Sequence, residues 1–452
     1  MSRINIQLER LILTFLLFLL SLIPILSLGK SCSITLEILH LVMSFICSFA
    51  MFSYVDKPYS CFKVFHLFYY FYFAIAPILQ FKNNIYIFGT HFSEGEYIHT
   101  SFLLLFGLIV FDVIYMCLFE INITHSSTKN NKEVVINKDS FSARKKVMMF
   151  VISFLVFLLF LYINKFNMMA LFTRDSFSQV AMNQSLYLIV DHLIRPLPLF
   201  LFLVSLRLED KFLSASLFVF FFLSNPFTGM PRNSVAAMYI PVLLWSFPIF
   251  RKRQVFVFII SIALLVIFPF LNKFRHVDNI NSFEKISFEL NFSQFLDMNF
   301  DSYSMFMRVL KTDIVTNGNQ LLGVIFFWVP RSLWPGKAIG SGAYIAHETH
   351  LSFTNLSMPY MGEGYLNFGI LGIIIFSVVL AYIFAILDSN YWKYNNENNF
   401  SSLKYYLILG LVMFIMRGDL LSSFAYTIGY IMSFYLAKKL LFNNNCINEN
   451  EN

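Results

Sequence analysis

Residues 366–386 read LNFGILGIIIFSVVLAYIFAI, an apolar run in which no side chain is charged. A helix needs about 20 such residues to cross the hydrocarbon core of a bilayer, and the run therefore predicts a membrane-spanning helix. Eleven more apolar runs predict further spans, at 10–28, 34–54, 64–80, 100–118, 147–164, 186–206, 212–226, 233–250, 254–271, 402–416 and 420–437. The chain is therefore predicted to be an all-α polytopic membrane protein with about twelve transmembrane helices.

The composition agrees with a chain that lies mostly in lipid. Of its 452 residues, 58% are hydrophobic and only 13% are charged, and the mean hydropathy is +0.66. A soluble chain of this length needs more charge to cover its surface. The net charge of +7 is spread in short clusters at the ends of the apolar runs, where Lys and Arg contact anionic lipid headgroups. The predicted partners are therefore membrane lipids, and no nucleic acid is expected.

Lys and Arg concentrate in alternate connections between the predicted spans, a bias that is typical of the cytoplasmic side. These connections carry Arg3 and Arg10, Lys57 and Lys63, Lys129 to Lys146, Arg207 and Lys211, Arg251 to Arg253, Lys393 and Lys404, and Lys438 and Lys439. Both termini are then predicted to be cytoplasmic, and the number of spans is even.

The connection at 272–365 is the only long one on the predicted outer side. It separates the parts of the chain, which are a nine-span bundle at 1–271, the long loop itself, a three-span part at 366–442 and a polar cytoplasmic tail at 443–452. Within the loop, residues 301–311 have apolar side chains at helical spacing, and residues 321–330 (LLGVIFFWVP) have the length of an interfacial or re-entrant helix. Both a loop that delivers charged side chains to the membrane surface and a solvated cap fit this pattern.

The loop contains the sequence His347-Glu348-Thr349-His350. A zinc peptidase helix needs two histidines four residues apart, and these two are three apart, so no metal is expected here. An imidazole titrates near neutral pH and suits a general base. Either histidine is therefore a candidate base, and a solvated loop histidine is the alternative.

Asp191, His192 and Arg195 lie inside the sixth predicted span. Ionisable groups at this depth face a cavity or pair with one another. Asp191 and Arg195 are four residues apart and fit an ion pair on one helix face, whereas Pro196 and Pro198 favour a bend with room for substrate beside it. Both interpretations stay open from the sequence.

Four arginines project from the predicted outward connections: Arg174, Arg232, Arg331 and Arg417. A guanidinium binds phosphate through two parallel hydrogen bonds and stays charged. Converging arginines would hold a lipid pyrophosphate without a metal. The alternative is that each arginine contacts outer-leaflet headgroups separately.

Four passages resemble the Wzy-type O-antigen polymerases, a family of bacterial oligosaccharide repeat-unit polymerases. They are Leu171 to Ser176 (LFTRDS), Gly229 to Ser234 (GMPRNS), Val329 to Lys337 (VPRSLWPGK) and Gly362 to Gly369 (GEGYLNFG). Arg331 is also followed by Gly342 in the Arg-x10-Gly pattern that some of these polymerases carry. Arg174 and Arg232 do not have this pattern, because Ser185 and Leu243 occupy the corresponding positions.

The resemblance implies an inner-membrane glycosyltransferase of GT-C type that joins undecaprenyl-pyrophosphate-linked units at the periplasmic face, with inversion and without a metal or other cofactor. It implies that Arg174, Arg232 and Arg331, and also Arg417, bind pyrophosphate, and that Glu363, His350 or His347 is the base. Trp334, Tyr344 and Tyr360 would stack on sugars, and a separate chain-length regulator is a possible partner.

Two other functions fit the same topology. An O-antigen ligase uses the same donor but transfers the chain to lipid A-core. A flippase for the lipid-linked sugar is also consistent with many spans, although such transporters tend to have repeated halves and short outer loops, and no internal repeat is present in this chain.

Overall fold

A computed structural model describes residues 3–27, 29–54, 57–125, 136, 141–172, 184–252, 255–267, 292–393 and 399–442. These residues contain helices and no β-strand. The α-helices are α1 (Arg3–Leu26), α2 (Ile34–Phe49), α3 (Cys61–Phe68), α4 (Ala76–Lys82), α5 (Glu94–His125), α6 (Ala143–Ile163), α7 (Met168–Phe172), α8 (Gln184–Ile189), α9 (Leu197–Ser205), α10 (Lys211–Ser224), α11 (Arg232–Ser246), α12 (Val255–Ile262), α13 (Ser302–Thr312), α14 (Asn319–Ile325), α15 (Ser341–Glu348), α16 (Tyr360–Lys393), α17 (Ser401–Arg417) and α18 (Leu420–Leu441).

Short π-helical turns continue or join several of these helices, and they keep the backbone hydrogen-bonded within the segment, as a lipid environment requires. They lie at Ala50–Tyr54, Tyr69–Ile75, Val190–Ile194 and Ala263–Ile267. Single 3-10 turns lie at Ile87–Gly89, Pro248–Arg251, Phe292–Leu296 and Met298–Phe300. Helix α16 is broken at Phe368 and Gly369, which leave the helical conformation.

Eight helical segments are long and apolar enough to cross a membrane, and the chain is a polytopic membrane protein. They are Gln7–Leu26, Ile34–Phe52, Cys61–Lys82, Glu94–Ile121, Ala143–Ile163, Leu186–Ser205, Tyr360–Lys393 and Leu420–Leu441. Each coincides with one of the twelve predicted spans. Large apolar side chains on their outer faces are exposed, such as Phe15, Phe102 and Ile383, as expected where the solvent is lipid.

The other four predicted spans are helical but shorter. Helices α10, α11, α12 with its π-helical extension, and α17 occupy the predicted runs at 212–226, 233–250, 254–271 and 402–416. Their described lengths are 14, 15, 13 and 17 residues, and each is shorter than the eight segments above. The number of twelve spans therefore stays a prediction.

The long loop, described from residue 292, folds against one end of the bundle, which we call the loop end. Helix α13 packs against α5, α15 and α16, and α14 packs against α18. The prediction of a helix at 301–311 is confirmed by α13. Residues 321–330 differ from the predicted single helix, since α14 ends at Ile325 and turns follow to Pro330. Trp328 is 67% exposed in these turns.

At the other end of the bundle, Asp388 of α16 is fully buried. Its carboxylate accepts hydrogen bonds from the backbone N–H groups of Cys61 (2.9 Å) and Phe62 (3.2 Å), at the start of α3. The hydroxyls of Tyr115 and Tyr405 also donate to it. A helix N-terminus has N–H groups without an intrahelical partner, and Asp388 satisfies two of them. The contact joins α3, α5, α16 and α17.

Candidate functional site

The candidate site surrounds the turn Arg417–Gly418–Asp419, which connects α17 to α18 at the loop end. The turn is short because Asp419 caps the N-terminus of α18, where its carboxylate accepts from the backbone N–H of Ser422 at 3.1 Å. Charged side chains from the long loop and from α16 meet this turn on two sides. We describe the carboxylate side first and the arginine side second.

Glu363 lies in the first turn of α16 and is fully buried. Its Oε1 accepts from the backbone N–H of Leu420 at 2.8 Å, and its Oε2 accepts from the hydroxyl of Ser341 at 2.7 Å. Leu420 begins α18 and Ser341 begins α15. Glu363 therefore joins the start of three helices, and its position just before a predicted span is the reason why the sequence pointed to it.

Asp419 is the second carboxylate on this side. Burial raises the pKa of Asp419, although hydrogen bonds from the first turn of α18 oppose that rise. The charges of Asp419 and Glu363 act on each other. The loop lies directly against this pair, since a Cβ atom on Gly340 would be 3.0 Å from Oδ1 of Asp419. The two carboxylates are thus close together, on elements that are far apart in the chain.

Arg417 forms the other side of the turn. Its Nη2 donates to Oδ1 of Asp301 at 3.0 Å and approaches the backbone carbonyl of Met298 at 3.4 Å. Asp301 is the residue before α13. The Nε of Arg417 is buried and has no hydrogen-bond partner in the part of the chain that the structure describes. The ion pair fixes the start of α13 to the turn.

Arg232 lies close to this ion pair. The charges of Arg417, Arg232 and Asp301 all act on the hydroxyl of Tyr72. Burial raises the pKa of Asp297, and the guanidinium of Arg232 opposes that rise. Arg232 begins α11, three residues after Gly229, whose N–H donates to the carbonyl of Pro226 and closes a turn. The structure therefore brings two of the four predicted arginines, Arg232 and Arg417, to one place.

Arg174 lies outside the described residues. The chain just before it approaches the turn before Arg232, because a Cβ atom on Gly229 would lie only 2.0 Å from the carbonyl oxygen of Leu171. Leu171 is in the last turn of α7. The two passages that carry Arg174 and Arg232 are therefore in contact through Leu171 and Gly229.

Arg331 forms its hydrogen bonds within its own loop. Its Nη1 and Nη2 donate to the backbone carbonyls of Lys337 (2.6 Å) and Ala338 (2.9 Å). Lys337 in turn donates to the carbonyls of Phe327 and Val329. Burial lowers the pKa of Lys337, and the charge of Arg331 adds to this effect. The two cations hold the VPRSLWPGK segment together through hydrogen bonds within the same loop.

His347 and His350 are both exposed, at the end of α15 that is opposite to Ser341. The axial rise from residue 341 to 347 is about 9 Å. Neither histidine is therefore placed beside Glu363. His350 has a left-handed backbone (φ 55°) just after the helix ends.

The three aromatic residues that were predicted to stack on sugars have different surroundings. Tyr360 is buried at the start of α16, with its ring 5.2 Å from that of Phe376. Trp334 is half-buried and packs edge-on against Phe326 at 6.4 Å. The ring of Tyr344 belongs to α15 and is half-buried. Only Trp334 and Tyr344 leave part of a ring accessible to a sugar.

Asp191 and Arg195 form the ion pair that their spacing predicts, at 2.5 Å, and both are buried. The Nε of Arg195 also donates to the carbonyl of Ser224 at 2.9 Å, and its guanidinium lies 4.5 Å from the ring centre of Phe160. His192 stacks on Tyr426 at 3.8 Å. These partners explain how the charges are accommodated at membrane depth.

Gly342 occupies a position that has no room for a side chain. A Cβ atom there would lie 2.2 Å from the carbonyl oxygen of Leu356. We expect Gly342→Ala to displace α15, and Ser341 with it, at a cost of about 1–3 kcal/mol. Thermal unfolding of the purified protein in detergent measures this loss. Gly336→Ala is the matched control, since the same loop leaves that position open; equal unfolding temperatures of the two variants would contradict the prediction.

Two further observations concern metal ligands in the described chain and the similarity of the chain to known proteins. Within the described ranges, no three His, Cys, Asp or Glu side chains are grouped so that they would hold a metal ion. Comparison with protein-family models, with curated proteins and with solved structures finds no match for this chain. The resemblance to the oligosaccharide-unit polymerases therefore stays a prediction.

Sequence reasoning missed several members of the site. Asp419 and Asp301 were not singled out, although both precede a helix, where Asp is a favoured cap. Ser341 gives no signal in the sequence beyond its position after Gly340. Arg308, in the middle of α13, looks from the sequence like a surface residue of an amphipathic helix, and the structure buries it.

Proposed function

We propose that this protein is an O-antigen polymerase, which transfers a growing oligosaccharide from undecaprenyl pyrophosphate to a new lipid-linked repeat unit. The observation that carries the proposal is the pairing of two carboxylates, the buried Glu363 and the half-buried Asp419, beside Arg417 at the turn of the loop end. A glycosyl transfer from a pyrophosphate needs a carboxylate to accept the proton of the acceptor and an arginine to stabilise the leaving pyrophosphate, and the two groups must be close together. No other part of the described chain combines them with a loop that covers the ends of apolar helices.

The chemistry assigns a role to each group. The acceptor hydroxyl attacks the anomeric carbon, a new C–O bond forms, and the bond to the pyrophosphate oxygen breaks. The acceptor's proton passes to the carboxylate pair, with Glu363 as the general base. The departing pyrophosphate takes the bonding electrons, and arginines stabilise its charge. Arg232 and Arg417 would bind it, together with Arg174. Attack opposite the leaving group inverts the anomeric centre.

The finer topology is part of the same proposal. Four shorter helices, α10, α11, α12 and α17, would complete twelve spans by thinning the bilayer locally, which costs only fractions of a kcal/mol per ångström of mismatch. Both termini would be cytoplasmic, and the loop end would face the periplasm from the inner membrane, in the manner of GT-C-type transferases. A chain-length regulator would then meet the protein from that side.

Deletion of the gene tests the proposal. If the protein polymerises repeat units, the deletion leaves lipopolysaccharide capped with a single O-unit, and restoring the chain brings back the ladder of lengths on a gel. Loss of all O-antigen would indicate a ligase. Accumulation of lipid-linked units on the cytoplasmic face would indicate a flippase, and either of these two results would overturn the proposal.

A further inference from the structure

Arg308 is a buried cation that lacks hydrogen-bond partners for two of its nitrogens among the described residues. Its side chain is only 4% exposed, near the middle of α13. Neither Nε nor Nη2 has a hydrogen-bond partner among the described residues. Burial lowers the pKa of Arg308, and no acid among the described residues opposes this effect. An arginine stays charged under these conditions, and a buried charge is normally paired.

The two unpartnered nitrogens are the significant ones. Nε–H and the Nη2–H that lies beside it form one edge of the planar guanidinium. This edge donates two parallel hydrogen bonds, which match two oxygens of a phosphate or a carboxylate. One complete bidentate edge of Arg308 is thus available to an oxyanion.

Arg195 shows how the same fold treats an arginine that has a structural role. It is as deeply buried as Arg308, at 5% exposure. Its guanidinium bonds to Asp191 and to the carbonyl of Ser224. Within the described part of the chain, Arg308 has neither an ion pair nor a carbonyl on its Nε edge, and the difference points to a ligand instead of a packing role.

The position of Arg308 connects it to the candidate site. Asp301, which bonds to Arg417, precedes Arg308 by seven residues. Seven residues are two helical turns, so both side chains leave α13 on nearly the same face, about 10 Å apart along the axis. The Nε of Arg417 is also buried without a partner among the described residues. The Nε edge of Arg308 and the Nε of Arg417 are therefore both without a partner among the described residues, and Asp301 links Arg417 to the start of α13.

We infer that Arg308 binds a phosphate oxyanion at the loop end, and that this anion is the pyrophosphate of the lipid-linked donor. The assignment of the lipid-linked donor rests on the proposed function, whereas the oxyanion site does not. The anion accepts two hydrogen bonds from the Nε edge of Arg308, and Arg417 lies on its far side. A phospholipid headgroup has the same phosphate chemistry and is the alternative source.

Binding of inorganic pyrophosphate to the purified full-length protein in phosphatidylcholine nanodiscs tests the inference. We expect Arg308→Met to weaken binding about tenfold or more, because two charge-assisted hydrogen bonds are lost. Lys311→Met removes a cation from the same helix, on the side that pairs with Glu96, and should leave the affinity unchanged. Wild-type affinity in the Arg308→Met variant would overturn the inference.

Thermal unfolding without pyrophosphate gives an independent readout. A buried charge that lacks a partner destabilises the fold, so Arg308→Met should unfold at a temperature equal to or above that of the wild type. Arg195→Met, which breaks a complete ion pair, should unfold at a lower temperature. A large decrease for Arg308→Met would mean that Arg308 has a structural role, and would overturn the inference.

Two more experiments are needed. The first distinguishes a phospholipid headgroup from the donor pyrophosphate, and the second distinguishes failure of the proposed function from failure of the oxyanion site. If phosphatidylglycerol nanodiscs stabilise the wild type more than Arg308→Met, and pyrophosphate adds nothing, the anion is a headgroup and the donor assignment is wrong. If the deletion strain lacks the single-unit phenotype while Arg308→Met still loses pyrophosphate, the proposed function fails and the oxyanion site stands.

Discussion

For the proposed polymerase, we expect replacement of Glu363 by glutamine to abolish chain extension and to leave the fold intact. The amide has nearly the shape of the carboxylate, so its oxygen still accepts from the N–H of Leu420 and its nitrogen donates to the hydroxyl of Ser341, which rotates. The amide cannot take the acceptor's proton. Removal of a general base typically costs about 10²–10⁴ in rate, and a polymerase slowed by this factor leaves only single O-units.

The measurement is the lipopolysaccharide ladder of a deletion strain that carries the variant, together with the amount of protein in the membrane. Glu348→Gln is the matched control, because this glutamate belongs to the same loop but is exposed at the far end of α15. A normal ladder from Glu363→Gln at wild-type protein levels would rule out Glu363 as the base. If Asp419→Asn gives a normal ladder while Glu363→Gln does not, Glu363 is the only one of the two carboxylates that is required.

Replacement of Asp388 by alanine should have the largest effect on stability. The substitution removes four hydrogen bonds at once and leaves the N–H groups of Cys61 and Phe62 without a partner in the bundle interior. Each unsatisfied buried donor costs about 1–3 kcal/mol, so a loss on the order of 3–5 kcal/mol is expected. The free energy of unfolding decreases because the start of α3 is no longer fixed to α16.

Thermal unfolding in detergent and the yield of folded protein in the membrane measure this effect. Tyr405→Phe is the control, because it removes one of the four hydrogen bonds and keeps the carboxylate. We expect a loss of about 1 kcal/mol for that variant. Similar stabilities for Asp388→Ala and wild type would show that the four hydrogen bonds to Asp388 do not stabilise this end of the bundle.

The sequence predicts the positions of the spans well, because the requirement for an apolar surface acts on each helix separately. At α17 the predicted run 402–416 and the helix Ser401–Arg417 agree within one residue at each end, but this length does not decide whether the helix crosses a bilayer. This helix packs inside the bundle against α3 and α11, and most of its side chains from Leu403 to Val412 are buried by protein. Neighbouring helices, instead of lipid, surround it, so neither its length nor its polarity has to match the bilayer.

The candidate site could be predicted only where position in the chain is informative. Glu363 was found because it directly precedes a long apolar run. The contact between Arg417 and Asp301 joins residues that are 116 positions apart, and nothing in their local sequence encodes it. Arg331 shows the converse: its motif suggested a ligand, whereas its donors bond to carbonyls of the same loop. Whether it also contacts substrate stays a prediction.

The turn between α17 and α18 has one further consequence. A single glycine separates Arg417 from Asp419, so two covalent Cα–Cα steps, at most about 7 Å, join the cationic and the acidic sides of the site. This separation does not depend on the conformation of the long loop. In the proposed function, the Cα atoms of Arg417 and Asp419 would therefore keep the same separation for every repeat unit that binds, because the covalent chain sets it.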